Sequence, residues 1–368
     1  MKHCLSLKGL GLSVLLLAAS AVSEAKTSDD LVYYDLSGYP LLGTLAPDAS
    51  IKYSRLPDSI METTRDGLKN LGKNSAGMNI RFRSNTENIA VRFKPRKMID
   101  MNHMTLTGIS GLDLYTMLPD SSWTTVSSAR PSKYKDHTQT MLMTNMTPEM
   151  REYMLYLPLY DGVDSIYVGV DSTATVLPPA VDLPVRHKPI VMYGTSILQG
   201  GCASRPGMAH TSILSRMLNR EVINLGFSGN AQLDPEIARL IAQSDASIIV
   251  IDALPNVKTP ELIEKMPQFY KIVRNAHPTT PIVFVESPIF PVMRFDTKTN
   301  SDIREKNAAF KKIYDGYVSA GDKNLYYFTG ENVLGDLMEA TVDNYHLTDL
   351  GFTHFANALY PLLKSILK

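Results

Sequence analysis

Lys188-Pro189-Ile190-Val191-Met192-Tyr193-Gly194-Thr195-Ser196-Ile197-Leu198-Gln199-Gly200-Gly201 is an apolar run that turns at a glycine, offers a hydroxyl and continues into a second apolar stretch. Its strand-length part is 189–193, and four more such runs follow at 222–225, 248–251, 282–285 and 325–328. None is broken by a charge. Between them, 236–242, 260–276 and 303–318 carry apolar residues at helical spacing; in 260–276 the face is Leu262, Ile263, Met266, Phe269, Ile272 and Val273. Unbroken apolar strands alternating with amphipathic helices predict an α/β fold with a five-stranded parallel sheet covered on both sides. Ligands of such sheets sit beyond the carboxyl ends of the strands.

The residues at those ends are of the kinds that acyl transfer needs. Ser196 follows the first run, Gly229 the second in Asn224-Leu225-Gly226-Phe227-Ser228-Gly229-Asn230, and Asn256 the third in Asp252-Ala253-Leu254-Pro255-Asn256. Asp343-Asn344-Tyr345-His346 follows the fifth after a longer loop. Taken singly, the serine reads equally as a helix cap, the glycine as a plain turn and the asparagine as turn chemistry. Together they place a hydroxyl nucleophile, two donors and a base on one edge. Asp three residues before His lets the carboxylate reach Nδ1 while Nε2 faces the serine. A phosphate loop fails for want of Gly-Lys-Ser/Thr, and 226–229 lacks the three-glycine dinucleotide spacing. Of the other histidines, His3 lies in the leader, His103 and His137 precede the α/β region, and His187 lies just before the first strand. His210, His277 and His354 read as structural residues of helices or helix ends. Thr348 is placed to cap a terminal helix.

From about residue 188 onward the chain resembles the SGNH hydrolases, also called GDSL-type esterases, a family of flavodoxin-like α/β serine hydrolases. The resemblance implies Ser196 as nucleophile, Asp343 and His346 as its relay, and Ser196, Gly229 and Asn256 as the oxyanion hole. Two departures stand out: Thr195 occupies the place of the family's Asp, and Leu254-Pro255-Asn256 replaces G-x-N-D. Upstream, Gly111-Leu112-Asp113-Leu114-Tyr115 resembles the G-x-D-L-Y signature of a β-rich domain that precedes the hydrolase in a bacterial subgroup common among Bacteroides-like organisms.

With 368 residues, the chain is long enough for two domains. Lys+Arg 37 against Asp+Glu 37 leaves no basic excess for nucleic acid. Lys2 and Lys8, an apolar run at 10–22 and Ser23-Glu24-Ala25 read as a signal peptide over residues 1–25, with no membrane span in the mature form and a Gram-negative periplasmic destination expected. Cys4 leaves with that leader, so Cys202 is then unpaired and is read as packing. Residues 26–185 carry short runs at 80–82, 89–93, 104–107, 140–143, 153–160 and 165–170 between turn residues, predicting a β-sandwich or jelly-roll-like domain; 186–368 is the hydrolase domain. Tyr115, Trp123, Tyr134 and Tyr160 are candidate platforms for a sugar ring. Arg205 and Glu286 read either as substrate contacts or as structural charges. No cofactor or metal is needed, and no His/Cys/carboxylate cluster appears along the sequence.

The functional expectation is a secreted serine esterase acting on carboxylic esters, with O-acetyl groups on carbohydrates favoured. The partner is an acylated small molecule or glycan, and the oligomeric state is left open. The alternatives are a lipid or small-acyl esterase or thioesterase on the same residues, and a non-catalytic glycan-binding protein.

Overall fold

The structure, a computed structural model, describes residues 26–133, 136–335 and 338–368. The leader read at 1–25 and Tyr134 lie outside the described residues. All five apolar runs form strands: β1 (Val185–Gly194), β2 (Arg220–Gly226), β3 (Ile248–Asp252), β4 (Ile282–Val285) and β5 (Leu325–Phe328). They pair in parallel in the order β2-β1-β3-β4-β5, the flavodoxin-like arrangement, whose order reverses at β1 and β3. β3 and β4 are buried at every position, which is why their sequences show no alternation. Successive side chains still separate: Ile190, Met192, Ile248 and Val250 enter one core, while Val191, Tyr193, Ile249 and Ile251 enter the other.

The helices are α1 (Ser196–Gln199), α2 (His210–Leu218), α3 (Pro235–Ala242), α4 (Thr259–Ala276), α5 (Thr297–Ser319) and α6 (Asp349–Ile366). Leu214 of α2 and Phe352 of α6 lie in the first core; Ile237 of α3 and Phe269 of α4 lie in the second. α5 starts at Thr297 rather than at 303 because Asp296 caps it, accepting from the Thr299 N–H at 3.0 Å. Its polar first turns carry no apolar period. Thr348 caps α6, accepting from Gly351 N–H.

The N-terminal region is two antiparallel sheets. One runs Val32–Asp35, Val163–Val170, Ile89–Pro95, Thr138–Met143; the other runs Val176–Leu177, Asn79–Ser84, Arg151–Tyr156, Leu112–Met117, Trp123–Ala129, with Leu41–Leu42 added on Asn79–Ser84. Their inner faces share a core in which Ile80, Phe82, Leu114 and Tyr153 meet Val91, Phe93 and Val168. The run at 104–107 corrects the reading: it is no strand, because Thr105 caps the helix Leu106–Ser110 by accepting from Gly108 N–H at 3.3 Å.

Beside the sandwich's own core, helices and loops of the N-terminal region enter both cores of the parallel sheet. Met104, Ile109, Leu159 and Tyr160 belong to the core that holds Ile190, Leu198 and Phe352; Leu56, Ile60 and Leu68 belong to the one that holds Val191 and Ile237. Fully buried Arg55 ties the regions together. It donates to Gly226 O at 2.5 Å and Asn224 O at 3.3 Å on β2, and to Leu71 O and Asn74 O at 2.7 and 3.0 Å in the N-terminal region. With carbonyls for partners, its burial pulls the guanidinium down to about 9. No helix among the described residues is long and apolar enough to cross a membrane.

Candidate active site

Ser196 opens α1 directly after β1. Thr195, buried at the cap position, accepts from Ile197 N–H at 3.4 Å, so the hydroxyl where the family carries Asp serves as a cap here. The Ser196 carbonyl accepts Gly201 N–H at 2.7 Å and Tyr160 Oη–H at 3.3 Å, which fixes the backbone behind the side chain. The Ser196 Oγ lies 2.9 Å from His346 Nε2.

The base comes from a tight loop before α6. Val342 N–H donates to His346 O at 2.8 Å and Thr348 N–H to Ala340 O at 3.0 Å, closing a short hairpin. Asn344 takes φ +72°, a left-handed turn that Asn tolerates. That turn folds Asp343 back onto Tyr345 and His346. One carboxylate oxygen accepts Tyr345 N–H at 3.1 Å and His346 N–H at 2.7 Å; the other accepts His346 Nδ1–H at 2.7 Å. Partial burial raises the Asp343 pKa, but the hydrogen bonds from the His346 ring and backbone outweigh it and hold the carboxyl below its ordinary range. An ionised Asp343 demands a proton on Nδ1, leaving the Nε2 lone pair for the Ser196 hydroxyl.

Gly229 and Asn256 follow β2 and β3, the two strands that pair with β1 on either side. Ser228 N–H is taken by Gln199 Oε1 at 3.0 Å, and Gln199 Nε2 donates to Leu159 O at 3.0 Å. The next amide, that of Gly229, has no acceptor among the described residues. Gly229 sits at φ +66°, and a Cβ there would meet open space, so its backbone angle rather than crowding calls for glycine. Asn256 closes a 3₁₀ turn after β3, and its Oδ1 accepts Ala231 N–H at 3.2 Å. That bond fixes the carboxamide with Nδ2 free to donate.

The chain's relatives fit this arrangement. The profile of the GDSL-like lipase/acylhydrolase family matches residues 187–364, and that of the GxDLY N-terminus of SGNH-type esterases matches residues 31–176. A protein described as a GDSL-like lipase from Bacteroides ovatus is 32% identical, with a TM-score of 0.86 over 92% of this chain and 98% of its own. The chain belongs to the GDSL-like lipase/acylhydrolase family. Two more distant structures share its fold. A salicylyl-acyltransferase from a tetracycline biosynthetic pathway is 16% identical, with a TM-score of 0.72 over 92% of this chain and 98% of its own. A family-two carbohydrate esterase from Clostridium thermocellum, solved with cellohexaose, is 13% identical, with a TM-score of 0.56 over 79% of this chain and 93% of its own. No curated protein matches the chain.

In this GDSL hydrolase the Gly-x-Asp-Leu-Tyr segment lies on an N-terminal strand and grips the loop behind Ser196. Asp113, fully buried, accepts from Arg205 Nη1 at 2.6 Å and from Gly207 N–H at 2.9 Å. Tyr115 Oη accepts from the same Arg205 nitrogen at 2.6 Å, and Arg216 stacks on the Tyr115 ring at 4.2 Å. A Cβ on Gly207 would stand 2.5 Å from the Tyr115 ring, so only glycine permits the approach. Burial raises the Asp113 carboxyl, and Arg205 opposes the rise. On the other flank, Ser204 N–H and Oγ–H bind the Asp349 carboxylate, and Thr105 Oγ–H donates to Ser204 O at 2.8 Å.

Arg205 is therefore engaged in an internal ion pair. Glu286 accepts Tyr327 Oη–H at 2.6 Å and Gly330 N–H at 3.0 Å, a structural setting too. Of the candidate sugar platforms, Tyr115 and Tyr160 are buried, and Trp123 packs on Tyr115, Met154 and Tyr156 beneath the Arg81 guanidinium. His210 is buried between Phe352 and Phe355, and His277 lies against Ile241 O, so both are packing residues as read.

His103 is the residue that sequence reasoning passed over. The N-terminal region brings its ring to 5.6 Å from the His346 ring, centroid to centroid. Cys202 lies in the same place, with one ligand atom each of His103, Cys202 and His346 all within 4.8 Å of one another. The three residues lie far apart along the chain, and for that reason the sequence displays no such cluster. Burial pushes the Cys202 thiol up to about 12, with the Asp343 charge adding to the rise, so it is a neutral thiol that packs rather than a nucleophile.

Proposed function

We propose that this protein is a serine esterase that hydrolyses carboxylic esters through an acyl-enzyme, with O-acetyl groups on carbohydrates as its substrate class. One observation carries the reaction type: the unbroken chain from the Asp343 carboxylate through His346 to the Ser196 hydroxyl, at 2.7 and 2.9 Å. As Ser196 Oγ attacks the ester carbonyl, His346 Nε2 takes its proton, and Asp343 stabilises the imidazolium. The N–H groups of Ser196 and Gly229 and the Asn256 amide hold the tetrahedral oxyanion. His346 then protonates the departing alcohol, and water repeats the attack on the acyl-enzyme.

The substrate class draws its support from the sequence resemblance and from one feature of the rim. Tyr345, beside His346, is 39% exposed and leans on Phe290 at 5.3 Å, which offers an aromatic face to a sugar ring. Secretion rests on the signal peptide read at residues 1–25. The test is acetate release from a panel of acetylated plant and host glycans, with Ser196→Ala as control. Serine-dependent release from one glycan establishes reaction and class together. Preference for octanoyl over acetyl nitrophenyl esters would replace the carbohydrate reading with the lipid one. Failure of a fluorophosphonate to label Ser196 would point to the glycan-binding alternative.

A further inference from the structure

We propose that His103, Cys202 and His346 form a binding site for a thiophilic divalent cation such as Zn²⁺, and that its occupancy switches the esterase off by capturing the base. The inhibitory half rests on the function proposed above; the site itself does not.

Two imidazoles and a thiol are the donor set that zinc favours over harder cations. Their ligand atoms lie within 4.8 Å of one another. Donors around a tetrahedral zinc stand about 3.3–3.7 Å apart, from metal–ligand bonds of about 2.0–2.3 Å. Closing the difference takes about an ångström of movement. His103 and His346 are both only partly buried, so their side chains have room to shift towards Cys202.

The hydrogen bonds already present orient both rings for this. Metal-binding histidines characteristically donate one ring N–H to an oxygen and turn the other nitrogen's lone pair to the ion. Here His346 Nδ1 is held by the Asp343 carboxylate at 2.7 Å, and His103 Nδ1 by Asn102 Oδ1 at 2.9 Å. The His103 Nε2 lone pair is thereby turned outward, and that of His346, which faces the Ser196 hydroxyl at 2.9 Å, is the one the ion would take over. Cys202 is presented from the loop behind the nucleophile with φ +75°, in a segment that the Asp113–Arg205 contacts hold in place. The site thus draws one ligand from the N-terminal region, one from the nucleophile loop and one from the hydrolytic machinery.

On binding, the Cys202 Sγ–H bond breaks, an Sγ–metal bond forms and the proton leaves to solvent; the cation keeps its oxidation state. The fourth position is open to water. The His346 Nε2 lone pair, which would otherwise accept the Ser196 proton, is committed to the ion.

The experiment uses the full chain freed of metal with a chelator. Cobalt(II) is titrated in while the thiolate-to-cobalt charge-transfer absorption is read; nitrophenyl acetate turnover is then followed against Zn²⁺. The expected result is a band that saturates at one equivalent, is bleached by Zn²⁺, and is lost in Cys202→Ser. Zn²⁺ should abolish turnover reversibly, and His103→Ala should weaken both effects by about tenfold or more, each variant being compared with its own metal-free rate. No band, or a band unchanged in Cys202→Ser, overturns the site. A band with turnover untouched by Zn²⁺ overturns the capture of His346. If the metal-free protein has no esterase activity, the functional proposal fails by itself and the cobalt band still decides the site.

Discussion

Asp113→Asn tests whether the N-terminal region holds the nucleophile loop in place. Asp113 is fully buried and Arg205 about one-quarter exposed in its side chain. The substitution keeps the shape and removes the charge. Arg205 retains Tyr115 Oη but loses a charge-assisted bond, worth about 1.5–3 kcal/mol. Gly207 N–H and Arg205 already share Oδ2, and the amide oxygen can take that place and keep both bonds, uncharged. The new NH₂ must lie where Asp113 Oδ1 now has no partner, which adds about 1–3 kcal/mol for a buried unsatisfied group. Relief of the carboxylate's own burial offsets part of this, and the expected loss is about 2–4 kcal/mol. Trp123 is the only tryptophan in the sequence and packs on Tyr115, so its fluorescence in urea reports the wall that carries Asp113. Combining Asp113→Asn with Arg205→Met should cost less than the sum of the single changes, because the stranded cation is gone. Turnover should fall with little change in KM, since the loop is displaced rather than the substrate contacts. A loss below about 1 kcal/mol together with additive single changes would refute the latch.

Three other outcomes are expected. Asn256→Ala removes one of the proposed oxyanion donors and should lower kcat about a hundred- to a thousandfold; a loss of only a few-fold, from nitrophenyl acetate kinetics, would remove Asn256 from the hole. Gly229→Ala meets open space but is forced to φ +66°, so it should cost about 1–2 kcal/mol in a urea melt without a steric clash; an unfolded variant would contradict that. Glu221, buried on β2, accepts Gly43 N–H at 2.6 Å, and burial pushes its carboxyl from 4.5 up to about 7. The native state therefore holds this proton more tightly than the unfolded chain, and stability present below the unfolded value is lost as pH rises towards 7. The loss amounts to about 3 kcal/mol at most. Thermal melts of Glu221→Gln should show a flatter decline over that window, and an unchanged slope would discard the assignment.

How far the sequence could be read depends on the physics of each element. The five strands were legible because a strand buried on both faces has no polar positions to interrupt it. The first turns of α5 were not, because their start is set by the cap at Asp296 and not by periodicity. At 104–107 alternation misled, since one threonine cap outweighs four residues of pattern. Ser196, Asp343 and His346 could be proposed because each stands next to a recognisable local feature, a strand end or a turn. His103 offers no such feature. Its place beside His346 depends on the packing of the sandwich against the parallel sheet, through Ile109, Leu159 and Tyr160, which no local window contains. Arg205 was ambiguous for the same reason, its partner Asp113 being remote in sequence.

The cores shared between the N-terminal region and the parallel sheet bear on how the molecule is made. The N-terminal region leaves the ribosome before the parallel sheet, so Ile109, Leu159 and Tyr160 then have no sheet to cover them, and buried Arg55 lacks the β2 carbonyls that receive it. Until Arg220–Gly226 and the strands beside it are synthesised, the nascent chain presents an apolar wall and an unsatisfied cation. Residues 343–346 follow every strand of both regions in the chain. The loop that brings Asp343 and His346 to Ser196 therefore reaches a surface already formed, and chains stalled before it should be the ones that chaperones hold.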